Sequence, residues 1–249
     1  MSVVPDLFSQ QAAIYAAARP SYPDALYRQI VALVPGRHRA WDCATGSGQA
    51  ARDLARYFDR VIATDASAEQ ISHAPPVPNV EYRVAPAEDC GLPDHSTDLV
   101  TVAQALHWLQ HERFYAEVRR VVVPGGVIAA WSYGACSAGD DVEPLLREFE
   151  TGTLGPYWNA ARRWVDDGYR TIPFPFEEIA MPSSELSVHW TLGQLGRYLT
   201  SWSAVARYRR ERGHDPVAPL LDQLGHHWGA PERTRNVTWP LGVRVGRIA

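Results

Sequence analysis

Between residues 40 and 131 the chain alternates short apolar runs with amphipathic stretches. The runs occupy residues 40–44, 61–64, 80–84, 99–103 and 127–131, and stretches of helical period lie near 49–57, 67–73 and 112–122. Strands alternating with helices imply right-handed crossovers and a parallel sheet. The first 36 residues read as two short helices: Asp6 caps the first, and Pro23 opens the second after the break at 19–22. Beyond Gly134 the pattern changes to aromatic residues and proline, too apolar for a linker. That segment is expected to form a helix and then a cap. A strand is expected over 187–190, with helices over 192–212 and 217–228. A last strand over 236–248 contains Pro240, which implies a bulge or an edge within it.

The pattern predicts an α/β fold with a doubly wound parallel sheet. All of it is expected in one compact domain. Residues 1–36 form a helical lid and 37–134 the core. Residues 135–235 form the cap with further helices and one strand, and 236–249 the final strand.

Composition narrows the possibilities. The 249 residues are 46% hydrophobic, enough for one sizeable core. No apolar run approaches the roughly 20 residues of a membrane span. The start, MSVVPDLFSQQ, lacks a basic segment followed by an apolar one. Cys43, Cys90 and Cys136 have no metal-ligand spacing and read as reduced thiols. A cytoplasmic protein without membrane or metal is therefore expected. A net charge of −4 weighs against nucleic acid as a partner. All 24 basic residues are arginine. Without lysine there is no Schiff base, no pyridoxal phosphate attachment and no Walker A site. The adjacent His226 and His227 have no spaced partners for a metal.

Four segments carry candidate chemistry. Asp42-Cys43-Ala44-Thr45-Gly46-Ser47-Gly48-Gln49 runs from a strand through two glycines into a helix, where backbone N–H groups can approach a ligand. It also fits the dinucleotide pattern G-x-G-x-x-A, but Asp42 inside the strand and the preceding helices argue against a nicotinamide cofactor. Asp65 ends the second run, where a carboxylate accepts ribose hydroxyls or caps the next helix, a task open to Ser67 as well. Ala85-Pro86-Ala87-Glu88-Asp89 follows the third run and can face an adenine edge. Ala103-Gln104-Ala105-Leu106-His107-Trp108 follows the fourth, at the point where strand order reverses. His107 there can order the loop, act as a base or touch a substrate. Arg162, Arg163 and Arg207 could bind a carboxylate or lie on the surface.

In the order DCATGSG, ATD, PAED with GLPDHSTDLV, AQALHW and RRVVVPGGVIAAW, these segments resemble class I S-adenosylmethionine-dependent methyltransferases. The resemblance extends to the subgroup of trans-aconitate methyltransferase-like proteins (methyltransferase type 11). The shared features are an F-x6-Y-x3-RPSYP start carrying Phe8, Tyr15 and Arg19, the cap YWNAARRWVDDGYRTIPFPF and the tail YLTSWSAVARYRRERGHDP. The residues Cys43-Ala44-Thr45 depart from the order many relatives show. The resemblance implies a Rossmann-like, seven-stranded sheet of order 3-2-1-4-5-7-6 with the last strand antiparallel. It also implies S-adenosyl-L-methionine as methyl donor, S-adenosyl-L-homocysteine as product and no metal. Asp42, Gly46 and Gly48 would surround the methionine part, with Gln104 beneath it. Asp65 would hold the ribose, and Ala87 and Glu88 would flank adenine. Tyr15 and Arg19 would close over the cofactor, with Arg19 near its carboxylate, and Gln49, Ala66, Gln70 and Trp108 would also bind it. Tyr22, His107, Trp108, Tyr133, Trp158 and Tyr169 would wall the acceptor site. The acceptor is expected to be a small molecule methylated on oxygen or nitrogen, a carboxylate among the options. The protein is expected as a monomer or homodimer. A nicotinamide-dependent oxidoreductase and a fold that binds the cofactor without turnover are the competing readings.

Overall fold

The computed structural model describes residues 19–249. The expected first helix, with Asp6, Phe8 and Tyr15, lies outside them. Helix α1 (Asp24–Val31) starts directly after Pro23 and buries Leu26, Tyr27, Ile30 and Val31 along one face. The alternating half follows as β1 (Arg39–Cys43), α2 (Gln49–Leu54), β2 (Arg60–Asp65), α3 (Ala68–Ser72), β3 (Val80–Val84), β4 (Thr97–Ala103), α4 (His111–Val121) and β5 (Val122–Tyr133). The Ser67 hydroxyl accepts the Gln70 amide and caps α3, so Asp65 is left for other work.

Strands β1 to β5 pair in parallel. The apolar runs of β1, β2, β4 and β5 are continuous because both faces are covered, whereas β3, at the sheet edge, alternates and is half-buried. Along β5, Val127, Ala129, Trp131 and Tyr133 enter one core while Ile128 and Ala130 enter the other.

The rest of the chain forms the cap and completes the sheet. Helix α5 (Glu143–Glu148) passes into a π-turn (Phe149–Thr153) and a 3-10 turn (Gly155–Tyr157) before α6 (Arg162–Asp166). Short strands β6 (Glu177–Ile179) and β7 (Ser184–Trp190) follow, then α7 (Leu192–Thr200), α8 (Ser203–Arg212), α9 (Val217–Trp228) and β8 (Arg235–Arg247). β8 runs antiparallel to β5, as expected. The sheet order is β3-β2-β1-β4-β5-β8-β6, with β7 also on β8.

The expected order holds, but among the described residues the strands number eight rather than seven. β6 and β7 share the outer flank of β8: Ile179 pairs with Val245, and Ser184 with Leu241. Four residues on one strand face three on the other, a one-residue slip in the segment that contains Pro182. The sixth position is thus one edge strand broken in two. Pro240 sits opposite Glu185, just past the end of the β5 pairing at Tyr133. Its missing N–H therefore falls where β8 is locally an edge, as its place in the sequence implied.

The single helix expected over 192–212 is divided. Trp202 adopts an extended conformation and turns its ring, 4% exposed, against Trp158 at 5.4 Å. Cap residues Leu146, Phe149 and Leu154 belong to one core, and Val165, Tyr169 and Ile172 to the other. The cap therefore crosses over the carboxyl edge of the sheet from face to face. No helix among the described residues is long and apolar enough to cross a membrane.

Candidate active site

The site grows out of the loops that follow β1, β2, β3 and β4. After β1 the backbone enters the left-handed region at Ala44 (φ 53°), Gly46 (φ 56°) and Gly48 (φ 81°). A Cβ on Gly46 would meet only the Oε1 of Gln70, at 3.7 Å, so space opens above this residue. Asp42 shapes the turn from below. It is fully buried, and its carboxylate accepts the Thr45 hydroxyl at 2.5 Å and the Thr101 hydroxyl at 2.7 Å. Burial raises its pKa to about 6 against those bonds. Gln49 donates to the Pro20 carbonyl at 2.6 Å, which ties the loop to the N-terminal segment.

Asp65 stands at the end of β2. One carboxylate oxygen accepts the Gly46 amide at 2.9 Å and the other the Ser67 amide at 2.8 Å. A carboxylate has about four acceptor positions, so two remain for ribose hydroxyls. Burial shifts its pKa upward. Ala66 beside it is exposed, and Gln70 is buried on α3. β3 runs alongside β2, and the Ala85 amide donates to the Asp65 carbonyl at 3.0 Å. That pairing brings the Ala87–Glu88 turn to the same edge. Ala87 is buried, and Glu88 accepts the Gln110 amide at 3.1 Å.

Tyr82 was not among the expected residues. Its buried hydroxyl has no hydrogen-bond partner among the described residues. It lies where a Cβ on Gly48 would be 2.6 Å away. A concave glycine loop, an acceptor-rich Asp65 and an unsatisfied hydroxyl suit a ligand such as S-adenosylmethionine.

Past β4, Gln104 adopts φ 57°. Its amide donates to the Trp131 carbonyl at 2.8 Å and its side chain to the Tyr133 carbonyl at 2.7 Å. The turn Leu106–Trp108 then presents His107 to a chamber of about 90 Å³. Rings of Trp108, Tyr133, Trp158, Tyr198 and Trp202 wall the chamber, and Arg19 and Arg162 supply its cations. No aspartate or glutamate is among its described lining residues. Arg19 lies over the rings of Tyr198 (5.2 Å) and Tyr133 (5.9 Å). Arg162 stacks on Trp158 at 4.2 Å and pairs with Glu150 and Asp166. Those two carboxylates line a wide outer cleft of about 1240 Å³ that shares the Tyr133, Trp158 and Arg162 wall.

Burial, and next the charge of Arg162, lower the His107 pKa to about 3, so the imidazole is neutral. Its Nδ1 lies 2.8 Å from the Tyr169 hydroxyl. Tyr169 itself is fully buried and is not among the chamber's described lining residues. Tyr22 packs into the core, edge-on to Trp131 at 5.4 Å and to Tyr133 at 6.1 Å. Arg163 and Arg207 are not among the chamber's lining residues, and Arg207 pairs with Glu211 at 2.7 Å. Tyr198 on α7 and Trp202 between α7 and α8 were missed because they lie far along the chain. Their traces in the sequence are the density of aromatic residues there and the tail motif that contains both.

Comparison with known proteins matches residues 41–130 to the family described as a methyltransferase domain. A Dictyostelium discoideum protein with a provisional methyltransferase name is 34% identical over 223 residues, 88% of this chain and 85% of its own length. A Saccharomyces cerevisiae protein, provisionally an S-adenosylmethionine-dependent methyltransferase, is 31% identical over 65% of this chain and 58% of its own. A solved structure from Anaeromyxobacter dehalogenans, provisionally a type II methyltransferase, superposes with a TM-score of 0.87 at 45% identity. That alignment covers 92% of this chain and 97% of that one.

Proposed function

The chain belongs to the class I S-adenosylmethionine-dependent methyltransferases, and from that membership we propose that it methylates an anionic oxygen, a carboxylate above all, on a small molecule. One observation carries the reading. The chamber beyond β4 is lined by the guanidinium groups of Arg19 and Arg162 and by no described carboxylate, the carboxylates of Glu150 and Asp166 meeting Arg162 from the outer cleft. Arginine pairs with carboxylates in bidentate fashion. An ammonium group would meet like charge, and the aromatic faces that attract cations already carry Arg19 and Arg162.

When bound, S-adenosylmethionine supplies a methyl group already activated by its sulfonium. The protein then has to align the acceptor and exclude water. Asp42 and the glycines shape the floor, and Asp65 and Tyr82 offer polar contacts. Trp108, Trp158 and Trp202 keep the chamber apolar. A neutral His107 with a pKa about 3 is a weak general base. An acceptor that arrives ionised does not need a stronger one.

The nicotinamide alternative gives way to the family membership. Turnover separates the proposal from a fold that only binds the cofactor. The test is a screen for S-adenosylhomocysteine release with carboxylic acids, phenols and amines. Turnover confined to acids supports the proposal, and efficient turnover of amines alone overturns it.

A further inference from the structure

Tyr169 occupies a conformation that a bulky residue rarely adopts. Its φ is 66°, directly after Gly168 at 64°. A tyrosine in this region costs energy, and residues so held concentrate at functional sites. Four non-glycine residues among those described share it: Ala44, His95, Gln104 and Tyr169. Ala44 and Gln104 border the cofactor and acceptor regions. Tyr169 stands behind His107, and its backbone is firmly held. Its amide donates to the Trp164 carbonyl at 2.7 Å, and its carbonyl accepts from Arg244 at 2.9 Å. This anchoring places the buried hydroxyl 2.8 Å from His107 Nδ1, with the two rings 5.8 Å apart.

We propose that Tyr169 is a positioning residue: its hydroxyl donates to His107 Nδ1 and fixes the imidazole as the Nε2–H tautomer, which presents a hydrogen-bond donor to the acceptor's oxygen. The tautomer follows from complementarity and rests on the anionic-acceptor reading. A neutral imidazole carries one N–H and one lone pair. An Nε2 lone pair facing an anionic oxygen would repel it, and an N–H would hold it. The proton must then sit on Nε2, and Nδ1 accepts. Arg162 on α6, His111 on α4 and Arg19 also bear on this ring's surroundings. Both arginines oppose a positive imidazole, as does His111 when charged, so the donor is a neutral one. His107 thus fixes the orientation of the acceptor and takes no proton from it.

The test is nitrogen-15 NMR of the full chain with labelled histidines. Spectra are recorded without any acceptor, and H107Q identifies the His107 signals among the nine histidines. The wild type is expected to show His107 as Nε2–H, with a hydrogen-bonded Nδ1 and no titration between about pH 5 and 9. Y169F is expected to shift the Nδ1 signal and to reduce the tautomer preference roughly fivefold, the factor one ordinary hydrogen bond corresponds to. An Nδ1–H tautomer in the wild type overturns the proposal without need of the variant, and so does a Y169F spectrum identical to that of the wild type. The substrate screen reads the anionic-acceptor proposal separately, so either can fail alone.

Discussion

Asp42 shows how one residue can serve the turn at a cost to the fold. Its folded pKa, about 6, lies above the 3.8 of a free aspartate. A carboxylate raised in this way favours folding below about pH 4, and that contribution disappears as pH rises to about 6. Two pKa units correspond to about 3 kcal/mol. Asp42→Asn cannot titrate, so its stability relative to wild type is expected to rise by about that much between pH 4 and pH 7. Urea unfolding at the two pH values checks this, and a constant difference contradicts it. Gly46 and Asp65 report on the ligand instead. Valine at φ 56° costs about 1–3 kcal/mol in strain, and its side chain would fill the space above the loop. Asp65→Ala leaves the Gly46 and Ser67 amides without their acceptor and removes the expected ribose contact. Its S-adenosylmethionine binding is expected to weaken by about 1–3 kcal/mol, and that of Gly46→Val by more. Calorimetry showing unchanged affinity in both variants would falsify the cofactor site.

At the scale of elements, β8 and the end of α6 depend on a contact between two glycines. Gly242 pairs with Ser132 at the carboxyl end of β5, and a Cβ on it would be driven into the backbone of Gly168. Gly242→Ala must push the α6 terminus away. That moves Tyr169 from His107 and Arg162 from the chamber. Overpacking of this kind costs roughly 1–3 kcal/mol. Gly246 is the control. A Cβ there meets the Phe176 and Phe174 side chains at 2.6 and 2.8 Å, and its β5 partner is Ile128, four residues back from Ser132. Both variants are expected to lose stability in chemical unfolding. Gly242→Ala is expected to lose at least about tenfold in turnover, a barrier change of about 1.4 kcal/mol, while Gly246→Ala keeps most of its activity. Equal losses of activity argue against a specific link from this contact to the site.

These elements also show what a sequence can carry. β1, β2, β4 and β5 were legible because burial on both faces leaves an apolar run. β6 and β7 were not fully legible: an edge strand with an exposed side reads as mixed polarity, and only 187–190 stood out. The cofactor loops were legible because backbone geometry demands glycine and acid at fixed spacing. The chamber was only half legible. His107 and Trp108 follow a strand end, where ligands are expected. Tyr198, Trp202 and Arg162 come from distant segments, and no local pattern shows that the cap folds them over that edge.

The described residues form one sheet between two cores, with a site assembled from loops after four of its strands. A ligand held there touches parts that come together only when the sheet is complete. Binding should therefore stabilise the fold as a unit. S-adenosylmethionine or S-adenosylhomocysteine at a hundredfold excess over Kd adds about 2.7 kcal/mol to the folded state. A chain of this size shifts by roughly 2–4 °C per kcal/mol, so the unfolding midpoint is expected to rise by about 5–10 °C. NAD at the same concentration is expected to leave it unchanged, because Asp42 and the loop geometry belong to a methyltransferase. Trp41 reports on one core, and Trp131 and Trp239 on the other; all three are fully buried. Tryptophan fluorescence and far-ultraviolet circular dichroism should therefore give one coincident transition, displaced as a whole by the ligand. Two transitions, with only one moved by S-adenosylhomocysteine, would show that the cores on the two faces of the sheet unfold separately. A shift with NAD and none with either sulfur ligand would return the glycine loop to the dinucleotide reading.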